Sequence, residues 1–217
     1  MNSSKIKAVI LDLEQTLTSD DASWLQFTDL IGADSKVHQQ IYENFKNGVL
    51  PYVEAKRQLI ELWKKTGNAN LSEIEKVFRT FDFRPGAIEA VIYLHNKYEL
   101  CLISGSFDVF VESVAKRLDI KNYYASTKFI FDDQGRLIDL DYKLDRGAEK
   151  LEFLMDYCHE TGIEPSGCAA IGDGETDMPI FERVGMPILF VAKETSKLPR
   201  ERIKIHIKSW KDITNIL

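Results

Sequence analysis

The sequence is poor in cysteine and has no long apolar run. Its three cysteines, Cys101, Cys158 and Cys168, are too few and too irregularly spaced for a disulfide framework or a zinc site. Cys101 and Cys168 lie in apolar runs, which predicts that they are small buried hydrophobic side chains. No stretch approaches the length of a membrane span, and the first apolar run, Ala8 to Leu11, is too short for a signal-peptide core. We therefore expect a protein of the reducing cytoplasm that has no membrane partner.

Positive charge is also scarce. The chain carries 28 lysines and arginines against 34 aspartates and glutamates, for a formal net charge of −6, and its basic residues are scattered. This distribution argues against a nucleic-acid partner or an anionic membrane surface. With 217 residues, of which 44% are hydrophobic, the chain is long enough for one full core and a smaller attached domain.

Short apolar runs recur along the chain and have the length of buried β-strands. They span residues 6–13, 99–103, 167–171, 187–191 and, more weakly, 203–207. Helical patterns separate these runs, with apolar faces at 88–94 and 151–155. Such alternation is typical of a parallel sheet covered by helices. The pattern predicts an α/β fold, with a Rossmann-like parallel sheet sandwiched by helices.

The segment that follows the first strand has a different pattern. It is helical almost throughout, with apolar residues such as Trp24 and Phe27 at helical spacing. Ser72 and Glu75 form a capping-box pattern, which predicts the start of the last helix of this segment. The predicted domains are an α/β core of residues 1–16 and 82–217 and a small inserted helical cap of residues 17–81.

A second departure from the strand–helix alternation lies at residues 128–142. Two short β-like arms flank the turn-forming sequence Asp133-Gln134-Gly135. The pattern predicts a β-hairpin that projects from the sheet.

Polar side chains follow three of the predicted strands. Asp12 and Glu14 follow the first, Ser104-Gly105-Ser106 follows the second, and Asp173 and Asp177 follow the third. Ligands of an open parallel sheet bind beyond the carboxyl ends of its strands, so these residues should share one crevice. A carboxylate cluster repels itself unless a cation neutralises it, and magnesium, which prefers oxygen ligands, suits this one best. The sequence therefore predicts a magnesium site at this edge.

Four short sequences occur in a fixed order between residues 12 and 177. The first is Asp12-Leu13-Glu14-Gln15-Thr16, the second is Ser104 at a strand end, the third is Lys150 at the start of a helix, and the fourth is the GDGxxD sequence of Gly172 to Asp177. In order, spacing and strand context they resemble the four motifs of haloacid-dehalogenase superfamily phosphatases, in the phosphoserine-phosphatase-like branch.

This resemblance implies a reaction. Asp12 would attack phosphorus in line and form an aspartyl-phosphate, which water then hydrolyses. Glu14 would protonate the leaving oxygen and later deprotonate the attacking water. The resemblance thus implies a Mg²⁺-dependent phosphomonoester hydrolase that acts on a small phosphorylated metabolite.

The resemblance also implies which residues bind ligands. The magnesium ligands would be Asp12, the backbone carbonyl of Glu14 and Asp173, with Asp177 acting from the outer shell. The phosphoryl oxygens would contact Ser104, Gly105 and Lys150.

The substrate is less well defined by the resemblance. In phosphoserine phosphatases the cap supplies an acidic residue for the amino group and an arginine for the carboxylate. Asp21 stands where the acidic residue is expected, but counting from Gly48 puts Leu59 in the place of the arginine. Leucine cannot form the bidentate pair, and Lys56, three residues earlier on the same helical face, is the expected substitute. Phosphoserine is therefore a candidate substrate, bound by Asp21 and Lys56.

Glu14 is a second departure from the family pattern, which usually has aspartate there. Its extra methylene must be absorbed by a shift, and a displacement of about 1 Å can lower a rate roughly 100-fold. Two alternatives therefore stay open: a phosphotransferase that uses a small alcohol acceptor, and a phosphate- and magnesium-binding regulator with weak turnover.

Two further functions are disfavoured. Carbon–halogen hydrolysis would leave Asp173 and Asp177 without a metal to bind. A nucleotide-binding Rossmann module is disfavoured because no glycine-rich loop follows the first strand. The sequence leaves the oligomeric state open.

Overall fold

The computed structural model describes residues 5–18, 23–191 and 202–217. Its sheet consists of β1 (Ala8–Leu11), β2 (Glu99–Phe107), β3 (Asn122–Phe131), β4 (Leu137–Tyr142), β5 (Cys168–Gly172), β6 (Met186–Phe190) and β7 (Ile205–Ile207). The strand order is β4-β3-β2-β1-β5-β6-β7, and neighbouring strands are parallel except for β3 and β4. The predicted α/β fold with a mostly parallel sheet is confirmed.

Helices precede, separate and cover these strands. They are α1 (Ser23–Leu30), α2 (Ser35–Lys46), α3 (Tyr52–Lys64), α4 (Leu71–Phe78), α5 (Ala87–His95), α6 (Asp108–Arg117), α7 (Arg146–Thr161) and α8 (Met178–Phe181). Helices α5 and α6 pack on one face of the sheet, together with the 3₁₀ helix Trp210–Asn215, and α7 and α8 pack on the other.

Strand β1 lies in the middle of the sheet and is buried on both faces. Val9 and Leu11 contact the α5 and α6 side, whereas Ala8 and Ile10 contact the α7 and α8 side. Successive side chains of a strand point to opposite faces, so a strand covered on both sides needs an apolar residue at every position. A shift by one residue would break both sets of contacts, and the register of β1 is therefore firmly set.

Helices α1 to α4 are inserted between β1 and α5, which confirms the helical content predicted for this segment. The two places where the chain crosses between the insert and the sheet are bonded to each other. Thr18 forms an antiparallel bridge with Phe83, and the Arg84 N–H donates to the Leu17 carbonyl at 2.8 Å. The division of residues 17–81 from the core as a separate cap domain stays a prediction.

Helix α4 begins differently from the sequence prediction. Its N-cap is Asn70, whose Oδ1 accepts a hydrogen bond from the Glu73 N–H at 3.1 Å, and Ser72 lies inside the first turn. The predicted capping box of Ser72 and Glu75 is therefore wrong. Asn70 has the extended backbone of an N-cap and a side chain that caps as well as serine does, so the helix starts before Ser72.

The hairpin predicted at residues 128–142 is present at the edge of the sheet. Strand β3 begins earlier than predicted, at Asn122, and its first half pairs parallel with β2 before its second half pairs with β4. The turn is closed by a bond from the Gly135 N–H to the Asp132 carbonyl at 2.8 Å, and Gly135 has a φ of 74°. The pairing of β3 with β2 ends at Thr127, before the two arms of the hairpin, so the arms extend beyond β2 as the sequence predicts.

Phe107, the last residue of β2, joins the inserted helices to the sheet. Its ring centroid lies 4.3 Å from that of Trp24, 5.4 Å from Phe27, 5.7 Å from Phe78 and 4.6 Å from Phe129 of β3. Aromatic pairs at these distances stabilise a fold beyond the area that they bury. The insert and this face of the sheet therefore share one hydrophobic core.

The three cysteines are buried and form no disulfide, which confirms the burial predicted for Cys101 and Cys168. In the ranges that the structure describes, no helix is both long enough and apolar enough to cross a lipid bilayer.

The position of Phe107 generates a stability prediction. We expect Phe107→Ala to lower the free energy of unfolding by about 3–5 kcal/mol, because the ring is fully buried and its loss leaves a cavity between the insert and the sheet. Urea unfolding measures this change. Ile92→Ala, at a 58% exposed position of α5, is the matched control and should change stability by less than about 0.5 kcal/mol. Equal effects of the two substitutions would contradict a shared core at Phe107.

Candidate active site

Asp12 lies immediately after β1, at the carboxyl edge of the sheet. Its backbone N–H donates to the Ile171 carbonyl of β5 at 2.9 Å, and Asp173 follows two residues later on that neighbouring strand. The Asp12 side chain is buried. The parallel pairing of β1 with β5 thus brings two carboxylates that are distant in sequence to one edge of the sheet.

Lys150, in the second turn of α7, supplies the positive charge of this cluster. Its Nζ donates to Asp12 Oδ1 at 2.6 Å and to Asp177 Oδ1 at 2.7 Å, and the side chain is only 3% exposed. A buried ammonium is tolerated where anionic partners surround it. Lys150 therefore bridges the loop that follows β1 and the loop that follows β5.

Asp177 is held in place by its own loop. Its Oδ2 accepts a hydrogen bond from the Gly174 N–H at 3.0 Å, while Oδ1 is bonded to Lys150. A Cβ atom at Gly172 would lie 2.5 Å from the Asp177 carboxyl carbon, which is shorter than any real contact. Glycine is therefore required at residue 172 by the buried Asp177 side chain.

The loop that follows Asp12 is held by three side-chain hydrogen bonds. Thr16 Oγ1 donates to Asp12 Oδ2 at 3.0 Å, Arg84 Nε donates to the Gln15 carbonyl at 2.9 Å, and Trp210 Nε1 donates to the Thr16 carbonyl at 2.9 Å. Gln15 has a φ of 59°, in the left-handed region that non-glycine residues rarely adopt. The bonds on both sides of Gln15 keep this conformation in place.

The cluster holds more negative charge than its lysine can balance. Burial raises the pKa of Asp12 to about 7, against the opposing effect of Lys150. Burial, with repulsion from Asp12 and Asp177, raises the pKa of Asp173 to about 8. Burial acts to lower the pKa of Lys150, but Asp12 and Asp177 outweigh it and the pKa is raised. The ammonium stays charged, and the carboxylates still repel one another.

This arrangement fits a divalent cation. Asp12, Asp173 and Asp177 each offer a carboxylate oxygen, and these oxygens lie within 4.8 Å of one another. Hard cations prefer such oxygen ligands, and a double positive charge would relieve the repulsion. Asp12 and Asp177 each accept hydrogen bonds on both carboxylate oxygens, so the predicted outer-shell position of Asp177 stays a prediction. The Glu14 side chain is outside this group of three. Coordination of the metal by the Glu14 backbone carbonyl stays a prediction.

A cavity of about 550 Å³ opens onto the cluster. Its charged end includes Asp12, Glu14, Lys150 and Asp173. Its other end lies against α1, α2 and α3 and is mainly apolar, with Trp24, Leu25, Ile41, Phe45 and Leu59 among the lining residues. The cavity therefore has the size and the divided character of a small-molecule site.

Two of the three predicted phosphate-binding residues line this cavity. Lys150 and Gly105 line it. Ser104 is fully buried, and its Oγ accepts a hydrogen bond from the Ser106 N–H at 3.1 Å. The structure thus brings the three residues to the same edge of the sheet, and the contact of Ser104 with a phosphoryl oxygen stays a prediction.

Of the two predicted substrate-binding residues, the structure describes Lys56 alone. Asp21 lies outside the described residues. Lys56 lines the cavity, but its Nζ lies 2.8 Å from Asp139 Oδ1 and also donates to the Leu140 carbonyl at 3.1 Å. Leu59, one turn further along α3, is buried against the same cavity. The Lys56 ammonium is therefore already paired with the hairpin strand β4.

Sequence reasoning missed several residues that build the site. Thr16 belongs to the first motif, but its bond to Asp12 was not expected. Arg84 and Trp210 donate hydrogen bonds to backbone carbonyls of the loop after Asp12. Such bonds do not depend on the identity of the accepting residue, so the sequence does not reveal them. Arg146 also lines the cavity, and the available signal was its position four residues before Lys150, on the same face of α7.

Comparison with known proteins agrees with this geometry. The family model described as haloacid dehalogenase-like hydrolase matches residues 9–182. The phosphoserine phosphatase of Albidiferax ferrireducens is 28% identical over 211 residues, which cover 95% of this chain and 86% of that protein. The phosphoserine phosphatase of Methanocaldococcus jannaschii is 26% identical, with coverage of 98% and 97%.

Solved structures share the fold. A phospho-aspartyl intermediate analogue of phosphoserine phosphatase has a TM-score of 0.73 at 24% identity and covers 99% of this chain and 100% of that one. A substrate-bound phosphoserine phosphatase complex has a TM-score of 0.73 at 23% identity, with 99% of each chain covered. The family match spans well over half of the sequence and contains all four motifs, so the chain belongs to the haloacid dehalogenase-like hydrolase family.

Proposed function

We propose that this chain is a magnesium-dependent phosphomonoester hydrolase that acts on a small phosphorylated metabolite through an aspartyl-phosphate on Asp12. The observation that carries the proposal is the buried cluster at the end of the cavity, where Asp12 is hydrogen-bonded to Lys150 and Thr16. The similarity to phosphoserine phosphatases over nearly the whole chain supports phosphoserine as a candidate substrate.

In the first step, an oxygen of Asp12 attacks phosphorus and the ester P–O bond breaks. Glu14, which lines the cavity beside Asp12, gives its proton to the leaving oxygen, and an alcohol departs. Lys150 is within hydrogen-bonding reach of Asp12, so the same ammonium can contact a phosphoryl oxygen as charge moves onto it. Thr16 fixes the orientation of the attacking carboxylate.

In the second step, Glu14 removes a proton from a water molecule, whose oxygen attacks phosphorus. The bond between phosphorus and the Asp12 oxygen breaks, which releases inorganic phosphate and restores the carboxylate. Most of the catalysis in phosphoryl transfer comes from position and charge, and the anchored loop of Asp12 supplies both.

Asp12, the backbone carbonyl of Glu14 and Asp173 would hold Mg²⁺, with Asp177 in its outer shell. When bound, the ion supplies positive charge that neutralises and orients the phosphoryl oxygens. The repulsion among the buried carboxylates, described above, supports this choice of a doubly charged cation.

The nucleophile is tested by phosphate release from a panel of small phosphomonoesters, with Mg²⁺ and then with EDTA. We expect Asp12→Asn to lower kcat by at least about 1,000-fold, because the amide cannot form the phosphoenzyme. Asp156→Asn, on the exposed face of α7, is the matched control and should keep full activity. Release that persists in EDTA or in Asp12→Asn would sink the proposed mechanism.

Glu14 is tested by its dependence on the leaving group. We expect Glu14→Gln to lower kcat by about 100- to 10,000-fold with alkyl phosphates, which need a proton on the leaving oxygen. With p-nitrophenyl phosphate the first step needs little acid, so rapid mixing should show a burst of nitrophenolate followed by slow turnover. Glu152→Gln, exposed on α7, serves as the control. A burst-free loss of equal size with both esters would argue against acid–base catalysis by Glu14.

The raised pKa values of Asp12 and Asp173 predict how stability depends on pH and metal. Both groups bind protons more tightly in the folded protein than at their ordinary value of 3.8, so unfolding releases protons. Their contribution to the free energy of unfolding is therefore present below about pH 4 and is lost as pH rises through 7 to 8. Mg²⁺ binds the ionised carboxylates and should raise stability more at pH 8 than at pH 5, with proton release on binding.

Urea unfolding at both pH values, and calorimetry in two buffers of different ionisation enthalpy, measure these effects. Asp173→Asn should shrink both the loss of stability at high pH and the stabilisation by Mg²⁺. Stabilisation by Mg²⁺ that is equal at pH 5 and pH 8 would show that the ion binds elsewhere.

A further inference from the structure

Arg146 differs from the other basic side chains that line the cavity in the described part of the chain. Lys150 is paired with Asp12 and Asp177, and Lys56 is paired with Asp139. His38 also lines the cavity, but burial lowers its pKa to about 4, so it is neutral near pH 7. Within the described ranges, Arg146 has no carboxylate at ion-pair distance. It is therefore the cation of this cavity that is available for an anionic ligand.

Aromatic side chains hold the Arg146 guanidinium in a defined orientation. Its Nε donates to the Tyr142 hydroxyl at 3.0 Å, and its central carbon lies 4.8 Å from the centroid of the Tyr142 ring and 5.8 Å from that of Trp24. Tyr142 is itself stacked on Tyr52. The hydrogen bond uses the Nε donor, and the ring contacts use no N–H group, which leaves the terminal N–H donors for another partner. An oriented guanidinium loses little entropy when it binds a ligand.

The same side chain lies beside the predicted phosphate-binding residues. A Cβ atom at Gly105 would be 3.1 Å from Arg146 Cδ and 3.6 Å from its Nη1, so the arginine stem passes directly over this glycine. Gly105 follows Ser104 at the end of β2. A small molecule whose phosphoryl group is held near Asp12 and Gly105 would therefore bring its remaining groups within reach of the guanidinium.

The cap helix offers no equivalent cation. Leu59, which the resemblance puts in the place of the carboxylate-binding arginine, is buried in the apolar end of the cavity. Arg146 is also the first residue of α7, where the helix dipole disfavours a positive charge. Its position is thus poorly explained by the stability of the helix.

We propose that Arg146 binds a carboxylate of the substrate, so that the preferred esters are phosphorylated carboxylic acids. The planar guanidinium matches a carboxylate through two parallel hydrogen bonds. This assignment rests on the proposed phosphatase function, because the phosphoryl group is what positions the carboxylate. Arg146 on α7 then takes over carboxylate recognition from Lys56 on α3.

Two pairs of esters that differ in the carboxylate alone test the assignment. O-phosphoserine is compared with O-phosphoethanolamine, and phosphoglycolate with ethyl phosphate, by kcat/KM in the presence of Mg²⁺. Arg146→Met should lower kcat/KM about 10- to 100-fold for the carboxylate-bearing member of each pair and less than about threefold for its partner. Arg146→Lys should recover part of the difference, since it restores the charge but not the planar fork. Arg136→Met, on the exposed hairpin turn, is the matched control and should change neither value.

Two outcomes would overturn the assignment. An equal loss for both members of each pair would mean that Arg146 acts on the phosphoryl group or on packing. A selective loss of the carboxylate-bearing esters with Lys56→Met instead of Arg146→Met would give the role to Lys56.

A binding measurement separates this assignment from the proposed hydrolase function. Calorimetry on the Asp12→Asn background needs no turnover, and it compares the dissociation constants of O-phosphoserine and O-phosphoethanolamine with and without Arg146→Met. A selective 10- to 100-fold weakening of O-phosphoserine binding would support Arg146 even if no ester were hydrolysed. Equal affinities for the two esters, or no binding of either, would reject the assignment even if phosphatase activity were found.

Discussion

The candidate site depends on the ammonium of Lys150, which stands between two buried carboxylates. The sheet supplies those carboxylates from the ends of β1 and β5, and without a neighbouring cation their burial would be strongly unfavourable. A single lysine does not balance three aspartates, and the remaining repulsion is the physical basis of the inferred metal site. The rest of the local structure serves this cluster: glycine at residue 172 makes room for Asp177, and Thr16 orients Asp12.

The cavity joins this charged cluster to an apolar wall supplied by the inserted helices. Such a division suits a ligand with one strongly anionic end and a smaller organic part. The anionic end would contact the charged cluster, and the organic part would contact the apolar wall. Phe107 belongs to β2 and yet packs on Trp24 and Phe27 of the insert, so the apolar wall is built on the same core as the sheet. The apolar wall of the cavity and the strand that precedes Asp12, the proposed nucleophile, thus share one hydrophobic core.

Much of this arrangement could be predicted from the sequence. The apolar runs predicted β1, β2, β5, β6 and, more weakly, the edge strand β7. A strand that is buried on both faces, as β1 is, needs an unbroken apolar sequence. The residues after those runs included Asp12, Asp173 and Asp177. The start of α4 was predicted wrongly, because Asn70 caps the helix before Ser72. Residues 122–127 of β3 were not predicted as a strand, because they contain no apolar run and are ordered by pairing with β2. Side-chain contacts were the hardest feature to predict. The pairing of Lys56 with Asp139, and the lack of a carboxylate partner for Arg146 among the described residues, depend on contacts between elements that are far apart in sequence.

The bond from the Trp210 indole to the Thr16 carbonyl links residues that are 194 positions apart. During synthesis the loop that follows Asp12, the proposed nucleophile, emerges early, but it cannot gain this anchor until residue 210 has left the ribosome. Contacts of such long range also slow folding, because a large loop must close before they form. The nascent chain therefore carries Asp12 in a loop that lacks one of its anchors until Trp210 has been synthesised and has packed against Thr16.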